Sequence, residues 1–271
     1  MVLATFTGFS QNTDDVTPQK YTAHNKGKFY IFWGGNRESY SKSDIHFKGA
    51  DYDFTIYDVS AHDKPKGWHL DYLNPARMTI PQTNLRIGYF ITNHYNISIG
   101  VDHMKYVMYN DRRVDYSGYY PNAGTYNENP ANGQLTLDED FLLFEHTDGL
   151  NYVNTEISRV DDISNLFKLP NTDKFQINLT EGIGGGFLYP KTNTTLLGKE
   201  RHDDFNIAGF GISAKAGLNF TFFKYFFIQT ELKGGYIEMN NIKTTKSSAD
   251  SAEQHFWFLQ RIVAVGGIFR I

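Results

Sequence analysis

Cysteine is absent from the sequence, which excludes disulfide bonds, thiolate metal sites and a cysteine nucleophile. Long apolar runs are also absent, because none reaches the roughly 18 residues that a membrane-spanning helix needs. No segment shows convincing helical periodicity. The net charge is −4 and no basic stripe is present, so nucleic acid is a poor candidate partner.

Aromatic residues are abundant. They make up 16% of the chain, while hydrophobic residues make up only 40% and the mean hydropathy is −0.46. This combination is typical of a membrane β-barrel, in which one side of each strand faces lipid and the other side, like the loops, is polar. An aromatic-rich secreted β-sandwich has a similar composition and is the alternative fold.

Alternation of apolar and polar residues favours the barrel. Within 206–222, one set of alternate positions is apolar and the other is glycine or polar, and 226–236 repeats the pattern after a tight link at 223–224. A barrel strand places alternate side chains in lipid and in the lumen. The sequence therefore predicts an all-β fold, an antiparallel transmembrane β-barrel with long extracellular loops.

The predicted barrel has eight strands, and their order gives a consistent topology. The strands are 28–38, 84–91, 95–102, 148–160, 174–188, 206–222, 226–236 and a closing strand, 256–271. Short turns near 93, 165–173 and 223 all fall on the periplasmic side. The connections 39–82, 110–146, 190–204 and 242–254 all fall outside, and 110–146 is rich in tyrosine, asparagine and glycine.

Two segments complicate this topology. Asp51–Val59 is strand-like, so it is either a ribbon projecting from the barrel or part of a pair that makes ten strands. Glu181 falls on the apolar face of its strand, and a β-bulge within Gly182–Gly186 would restore the register.

The two ends of the chain predict its location. Gly266, Phe269 and Ile271 in the closing strand match the glycine-x-x-hydrophobic-x-hydrophobic ending that resembles the signal read by the barrel-assembly machinery of the bacterial outer membrane. Residues 1–11 resemble the end of a signal peptide without its basic leader, so we expect the true start to lie upstream. Residues 12–26 are predicted to be a flexible lead-in, and 27–271 to be the barrel.

Several segments carry a resemblance to a known family. They are Phe29–Arg37, Ser43–Gly49 and Tyr52–Thr55, supported by Ser10–Gln11, Gly149–Tyr152 and the closing strand. On these residues, 27–271 resembles a family of outer-membrane β-barrel proteins from Bacteroidota, a Gram-negative group. The resemblance implies location and architecture, and it brings no catalytic residues.

Charged residues at predicted inward positions are the principal candidate site. The lumen of an eight-stranded barrel is just wide enough for side chains to fill it, and buried charges need partners. We therefore expect an ion network that closes the lumen, and its three acidic and three basic members balance in charge. They are Arg86, Asp102, Glu156, Lys215, Glu231 and Lys233. The alternative is a gated or ion-selective path along the same residues.

Asp58, Ser60 and His62 are weak catalytic candidates, because a carboxylate, a serine and a histidine are the components of acyl-transfer sites. Simple alternation puts all three on one face. Asp102 and His103 point to opposite faces, so no metal site is predicted, and no cofactor is predicted either.

The predicted role is structural or binding, through extracellular loops that contact outer-membrane lipid, lipopolysaccharide, glycans or another membrane protein. The barrel-assembly machinery is a partner during insertion. The alternatives are a lipid A-modifying enzyme, and a small channel or a subunit of a transport or secretion complex.

Overall fold

The computed structural model describes residues 24–67, 82–121 and 133–271. Within these ranges the chain forms strands joined by turns and one short 3-10 turn, Ser164–Phe167. The strands are β1 (Phe29–Tyr40), β2 (Ser43–Lys48), β3 (Asp53–Val59), β4 (Ala61–His62), β5 (Thr83–Phe90), β6 (Tyr95–Met108), β7 (Arg112–Tyr119), β8 (Gln134–Leu137), β9 (Leu142–Asp162), β10 (Phe175–Leu188), β11 (Asn193–Leu196), β12 (Gly209–Phe222), β13 (Phe226–Lys243) and β14 (Ser251–Phe269).

Eight strands form a closed antiparallel ring, which confirms the predicted barrel. The order is β1-β5-β6-β9-β10-β12-β13-β14, and β14 pairs with β1 from Phe29↔Phe269 to Tyr40↔Phe258. The short connections at 91–94, 163–174 and 223–225 lie at one end, the turn end. The described parts of the long connections and the remaining strands lie at the other end, the loop end.

The loop end is a folded extension rather than a set of loops. The hairpin of β2 and β3 pairs with the loop end of β14, from Ser251↔Lys48 to Gln254↔Ile45, and β7 and β8 continue this sheet. β4 pairs with β6, and β11 pairs with β9. We call these six strands, together with the loop-end halves of the ring strands, the cap. Asp51–Val59 is therefore part of a projecting ribbon, and the alternative of ten barrel strands is wrong.

Several ring strands are longer than predicted because they continue into the cap. β9 begins at Leu142 instead of 148, β6 ends at Met108 instead of 102, and β13 ends at Lys243 instead of 236. Along these strands the inward side changes character. On β6 the inward residue Asp102 is followed at inward positions by Met104 and Tyr106, all of them buried. The polar-inside pattern of a membrane strand thus ends at the cap, where the interior becomes apolar.

Two buried apolar clusters lie inside the barrel. The larger cluster fills the cap and is dominated by aromatic and aliphatic side chains, including Ile45, Phe47, Phe54, Tyr106, Leu135, Phe141, Phe144, Leu150, Ile237, Met239 and Phe256. The smaller cluster lies toward the turn end and contains Tyr30, Phe32, Phe90, Phe227, Ile262, Ala264 and Ile268. The ring therefore holds apolar material at both ends of its lumen.

The bulge predicted within Gly182–Gly186 is wrong. β10 pairs without a register shift with β12 and with β9, and Glu181 lies outward, opposite Arg159 and Ala216. An outward carboxylate is tolerated best near a membrane interface. The strand predicted to begin at 206 begins at Gly209, and Ala208 before it is buried in the cap core.

The start of the described chain is anchored to the barrel. The side chain of Asn25 donates to the backbone oxygen of Asn93, and the backbone nitrogen of Lys26 donates to the Asn93 side chain at 3.0 Å. The end of the lead-in predicted to be flexible is thus held by the 91–94 turn. The predicted signal-peptide-like segment 1–11 lies outside the described residues, as do positions 12–23.

Of the residues that the structure describes, none belongs to a helix long and apolar enough to cross a membrane.

Candidate functional site

The outer surface of the ring carries an apolar belt. Most outward side chains between the two ends are aliphatic or aromatic, and many are exposed, including Ile31, Ile87, Ile99, Ile157, Ile183, Ile212, Leu232, Val263 and Val265. Ile99 and Ile183 are 60% and 67% exposed, which a water-soluble surface would not repeat around a whole ring. The belt is the surface that a bilayer core would cover.

Aromatic side chains border the belt at both ends. Tyr89, Tyr95, Tyr225, Phe226 and Phe269 are exposed toward the turn end, and Trp257, Tyr189, Phe187 and Phe210 toward the loop end. A closed antiparallel ring, an outward apolar belt and aromatic borders together define an outer-membrane β-barrel. The chain is therefore an integral membrane barrel of the outer-membrane type, in agreement with the predicted location.

Inside the belt, the structure brings all six predicted lumen residues together. They come from five different strands: Arg86 from β5, Asp102 from β6, Glu156 from β9, Lys215 from β12, and Glu231 and Lys233 from β13. Each occupies an inward position of the alternation, and each is buried. We call this set the lumen network.

Glu156 is the centre of the lumen network. Its carboxylate oxygens lie 2.6 Å from Nζ of Lys215, 2.7 Å from Nζ of Lys233 and 3.0 Å from Nη2 of Arg86. These contacts are ion pairs rather than aligned hydrogen bonds. One anion thus faces three cations, so its charge is essential to the local balance.

The other two anions complete the balance. Asp102 lies 2.7 Å from Nζ of Lys233 and 3.7 Å from Nη2 of Arg86. Glu231 lies 3.1 Å from Nζ of Lys215. Buried amides supply further donors, with Asn84 and Asn154 donating to Asp102 at 2.6 and 2.9 Å. No carboxylate of the lumen network lacks a cation.

Inward glycines make room for these long side chains. A Cβ on Gly184 would lie 2.7 Å from Cγ of Glu156, and one on Gly100 would lie 3.0 Å from Cζ of Arg86. Both distances are shorter than ordinary contacts between carbon atoms. Gly184 of β10, which the sequence suggested as part of a bulge, is therefore explained by close packing in the lumen.

The lumen is filled above and below the network. On the loop-end side lies the apolar core of the cap, beginning with Tyr152 and Phe258. On the turn-end side lies a cavity of about 40 Å³, with Tyr30, Phe90 and Phe227 in its lining. This volume holds only a few water molecules. Side chains thus fill the middle of the barrel.

Asp58, Ser60 and His62 do not form a catalytic arrangement. Asp58 has a positive φ of 53° at an irregularity between β2 and β3, so simple alternation does not continue through it. His62 belongs to β4, which pairs with β6 instead of continuing β3. In the described part of the chain, no hydrogen bond or ion pair joins any two of these three side chains.

Two residues of the predicted assembly signal, Gly266 and Phe269, belong to β14, and Ile271 follows its end. Gly266 faces inward against the ring of Phe227, Phe269 stacks outward on Phe29 at 6.2 Å, and Ile271 is 93% exposed. Recognition by assembly machinery stays a prediction.

Asp102 belongs to the lumen network, and Nδ1 of His103 lies 2.7 Å from Oδ1 of Asn151. Across the described ranges, no three His, Asp or Glu residues group as metal ligands.

The sequence missed a second polar group in the lumen, formed by Glu38, Asp63 and Gln82. Glu38 ends the predicted strand 28–38 and lies two residues beyond Asn36 on the inward side of β1, so the alternation could have identified it as an inward carboxylate. Asp63 follows β4, and no local pattern predicts that this segment joins β6.

Comparison with solved structures finds similar barrels. Outer membrane protein OprG from Pseudomonas aeruginosa is 8% identical, with a TM-score of 0.41 over 92% of this chain and 98% of that chain. AlkL, in lipid bilayers, is 8% identical, with a TM-score of 0.38 over 96% and 98%. Ail of Yersinia pestis, in complex with the heparin analogue sucrose octasulfate, is 12% identical, with a TM-score of 0.28 over 88% and 99%. At these values the likenesses carry no argument about function.

No family model matches the sequence, and no curated protein matches it either.

Proposed function

We propose that this protein is a non-conducting barrel of the bacterial outer membrane that presents a rigid, extracellular cap for binding. The observation that carries the proposal is the filled lumen. Glu156 and its three cations occupy the membrane level, and an apolar core lies between them and the loop end. A barrel built to pass solutes would need a continuous polar path at the cap, whereas this cap has a packed interior.

The outer surface of the cap suits contact with polar ligands. Tyr119 is 61% exposed on β7, and the Tyr57 hydroxyl hydrogen-bonds Ser117 at 2.7 Å on the neighbouring strand. Arg112 stacks over the ring of Tyr109 at 4.2 Å, and Arg113 beside it is exposed. Tyrosine supplies rigid amphipathic contact area, and arginine binds phosphate or carboxylate. Lipopolysaccharide and acidic glycans are therefore the ligands that we propose.

The cap is also fastened well enough to act as a fixed surface. Nζ of Lys199 lies 3.5 Å from the buried Asp250 and 4.7 Å from the ring centre of Tyr52. Burial raises the pKa of the Tyr52 hydroxyl, and the nearby Asp250 carboxylate adds to the effect. A surface that is held in place loses less conformational entropy on binding.

The first test measures conductance. Purified protein inserted into planar bilayers should give no steady openings, because both the lumen network and the cap core block the path. Steady, large openings of the wild-type protein would overturn the proposal. They would favour the second candidate function, a small channel. The observation that supports a channel is a chain of buried polar groups, which runs from Lys215 through Asp102 to Asn84.

The second test measures binding. Protein in lipid nanodiscs should bind purified lipopolysaccharide, and the double variant Tyr119→Ala with Arg113→Ala should bind about tenfold less, as expected for an aromatic and an arginine anchor. Lys174→Ala, an exposed lysine at the turn end, is the matched control and should bind like the wild type. Equal binding by all three proteins would contradict the role of the cap surface.

A further inference from the structure

The cavity on the turn-end side of the lumen network carries charge of one sign in its lining. Among the described residues that line it, three are lysines and none is an aspartate or a glutamate. Lys215 is already paired with Glu156 and Glu231 in the lumen network, so the positive charge of the cavity comes from Lys28 and Lys224. A cleft lined by one sign of charge concentrates ions of the opposite sign.

The cavity opens at the turn end, where a third cation lies. Lys224 is exposed between β12 and β13, and Lys28 is partly exposed just before β1. Arg270 follows β14, and its Nη2 donates to the backbone oxygen of Lys26 at 2.9 Å. Burial, and then the charges of Arg270 and Lys224, lower the pKa of Lys28. Although Asp173 lies 3.1 Å from Nζ of Lys224, the cations at the mouth are close enough to repel one another.

Two buried hydroxyl groups belong to the same lining. Ser158 and Thr180 are each 4% exposed, and within the described part of the chain neither hydroxyl has a hydrogen-bond partner. On the neighbouring strands Ser158 is paired with Gly182 and Thr180 with Gly217, and a glycine offers no side chain. Because buried polar groups are nearly always hydrogen-bonded, we expect the contents of the cavity to supply the partner.

The charged and the neutral donors approach the cavity from opposite walls. Lys28 lies at the start of β1, whereas Asn178 and Thr180 belong to β10, which is four strands away in the ring of eight. Nδ2 of Asn178 lies 3.3 Å from oxygen atoms of both Asn219 and Thr221, which is long for a hydrogen bond from nitrogen. This amide can therefore turn toward a better acceptor between the walls.

The shape of the cavity selects the ligand. Its volume of about 40 Å³ admits one small group, and the open mouth leaves room for the rest of a larger molecule. A carboxylate presents its oxygens on one side only, whereas a phosphate group presents oxygens in tetrahedral directions. Donors that converge from opposite walls therefore fit phosphate better, and lysine and arginine are the side chains that bind it.

We propose that the turn-end cavity binds a phosphate group that enters from the periplasmic side. Lys28 and Lys224 supply its charged contacts at the mouth, and Asn178 and Thr180 supply neutral donors from the opposite wall. Inorganic phosphate and a phospholipid headgroup share this chemistry, and both are present where the turn end meets the membrane surface.

The test is a phosphate titration of the folded barrel. Protein in a detergent without phosphate groups is titrated with sodium phosphate by isothermal calorimetry at constant ionic strength, because salt screens these charges. We expect one phosphate ion per chain with a Kd on the order of 1 mM, since so small a ligand makes few contacts. Sodium acetate should bind at least about threefold more weakly, because it lacks oxygens for one of the two walls.

The source of the phosphate group is determined by a second ligand. Glycerol 3-phosphate reproduces the part of a phospholipid headgroup nearest the acyl chains. Binding at least about tenfold tighter than that of inorganic phosphate would identify a lipid headgroup as the occupant. Equal or weaker binding would identify free phosphate, and both results support a phosphate site.

Variants separate the cavity from the basic surface around it. Lys28→Gln should weaken phosphate binding at least about tenfold, because it removes a charge-assisted contact. Thr180→Val keeps the size of the side chain and should weaken binding about threefold through the lost hydroxyl. Lys168→Gln removes an exposed lysine of the turn end outside the lining and should bind like the wild type. Because Lys28 precedes β1, Lys28→Gln still decides where Thr180→Val folds poorly.

Three results would overturn the proposal. Absence of saturable binding by both phosphate ligands would mean that the cavity holds only water. Equal phosphate binding by the wild type, Lys28→Gln and Thr180→Val would place the ion elsewhere on the basic surface. Tighter binding of acetate than of phosphate would contradict the ligand class. The outcome is independent of the proposed role of the cap, which is tested by conductance and ligand binding.

Discussion

The membrane-level half of the barrel and the cap are built from the same ring strands, but their chemistry is opposite. On β13 the inward residues Glu231 and Lys233 are charged, and farther along the same face Ile237 and Met239 lie in an apolar core. The outward residues of β13 change from apolar to charged along the same length, from Leu232 to Glu238. At the level of the lumen network the barrel is thus polar inside and apolar outside, whereas the cap is organised like a water-soluble protein. Solvent, rather than strand geometry, determines which residues each half can bury.

The largest expected effect comes from removing the central charge of the lumen network. Glu156→Gln leaves three buried cations facing two anions, and the loss of a buried ion-pair partner costs about 3–5 kcal/mol. Urea unfolding of the protein in lipid vesicles, followed by tryptophan fluorescence, measures the change in free energy of unfolding. Glu253→Gln, which is exposed on the cap, is the control and should change it by less than about 0.5 kcal/mol. Equal changes in the free energy of unfolding for the two variants would mean that the ion pairs do not stabilise the membrane-level half.

The cap should respond to lost apolar volume instead. Phe144 is 1% exposed and packs edge-on against Phe47 at 5.5 Å, so Phe144→Ala should destabilise the protein by about 3 kcal/mol through a cavity. Phe210→Ala, on the outward face and 49% exposed, leaves no cavity and should cost about 1 kcal/mol or less. The same urea titrations compare the two. A larger effect at Phe210 would contradict a packed cap core.

Neighbouring glycines on β10 test how tightly the lumen is filled. Gly184→Ala places a Cβ against Glu156, so we expect a loss of about 2 kcal/mol from overpacking. Gly185→Ala points outward, where the nearest atom is 3.6 Å away, and should be neutral or slightly stabilising. The urea concentration at the midpoint of unfolding is measured for each variant. Equal midpoints would show that the lumen can accommodate the added methyl group.

The smallest expected effect concerns the outward carboxylate of β10. Glu181 lies between Leu179 and Ile183 on the outer face, so Glu181→Leu should stabilise the barrel in lipid by about 1 kcal/mol. Glu238→Leu, outward at the level of the cap, meets water rather than lipid and should give no gain. If both variants or neither gained stability, the boundary between belt and cap would lie elsewhere.

The part of the fold that the sequence predicts is the part in which lipid imposes alternation. In 84–91 and 95–102 every outward residue is apolar or aromatic, so both ends of β5, the start of β6 and the turn between them were predicted within two residues. The start of β9 was not predicted correctly, because Leu142 to Leu150 belongs to the cap, where apolar side chains face inward. Where the apolar positions of one strand switch from the outward to the inward side, the sequence pattern resembles the end of that strand.

The candidate site divides in the same way. The members of the lumen network were predictable, because charged residues at inward positions of a narrow barrel have only each other as partners. The inward position of Asp63 was not predictable, since it depends on the pairing of β4 with β6 and not on any property of the local sequence. The role of the lumen network as a seal stays a prediction.

The pairing of β2 with β14 joins an early segment of the chain to the last strand of the ring. Residues 45–48 can take their final partners only when 251–254 are in place. The interior of the cap, to which Ile45, Phe47 and Phe256 all belong, is therefore complete only after the loop end of β14 is in place. Any ligand or antibody that recognises the finished cap would distinguish mature molecules from those stalled during assembly.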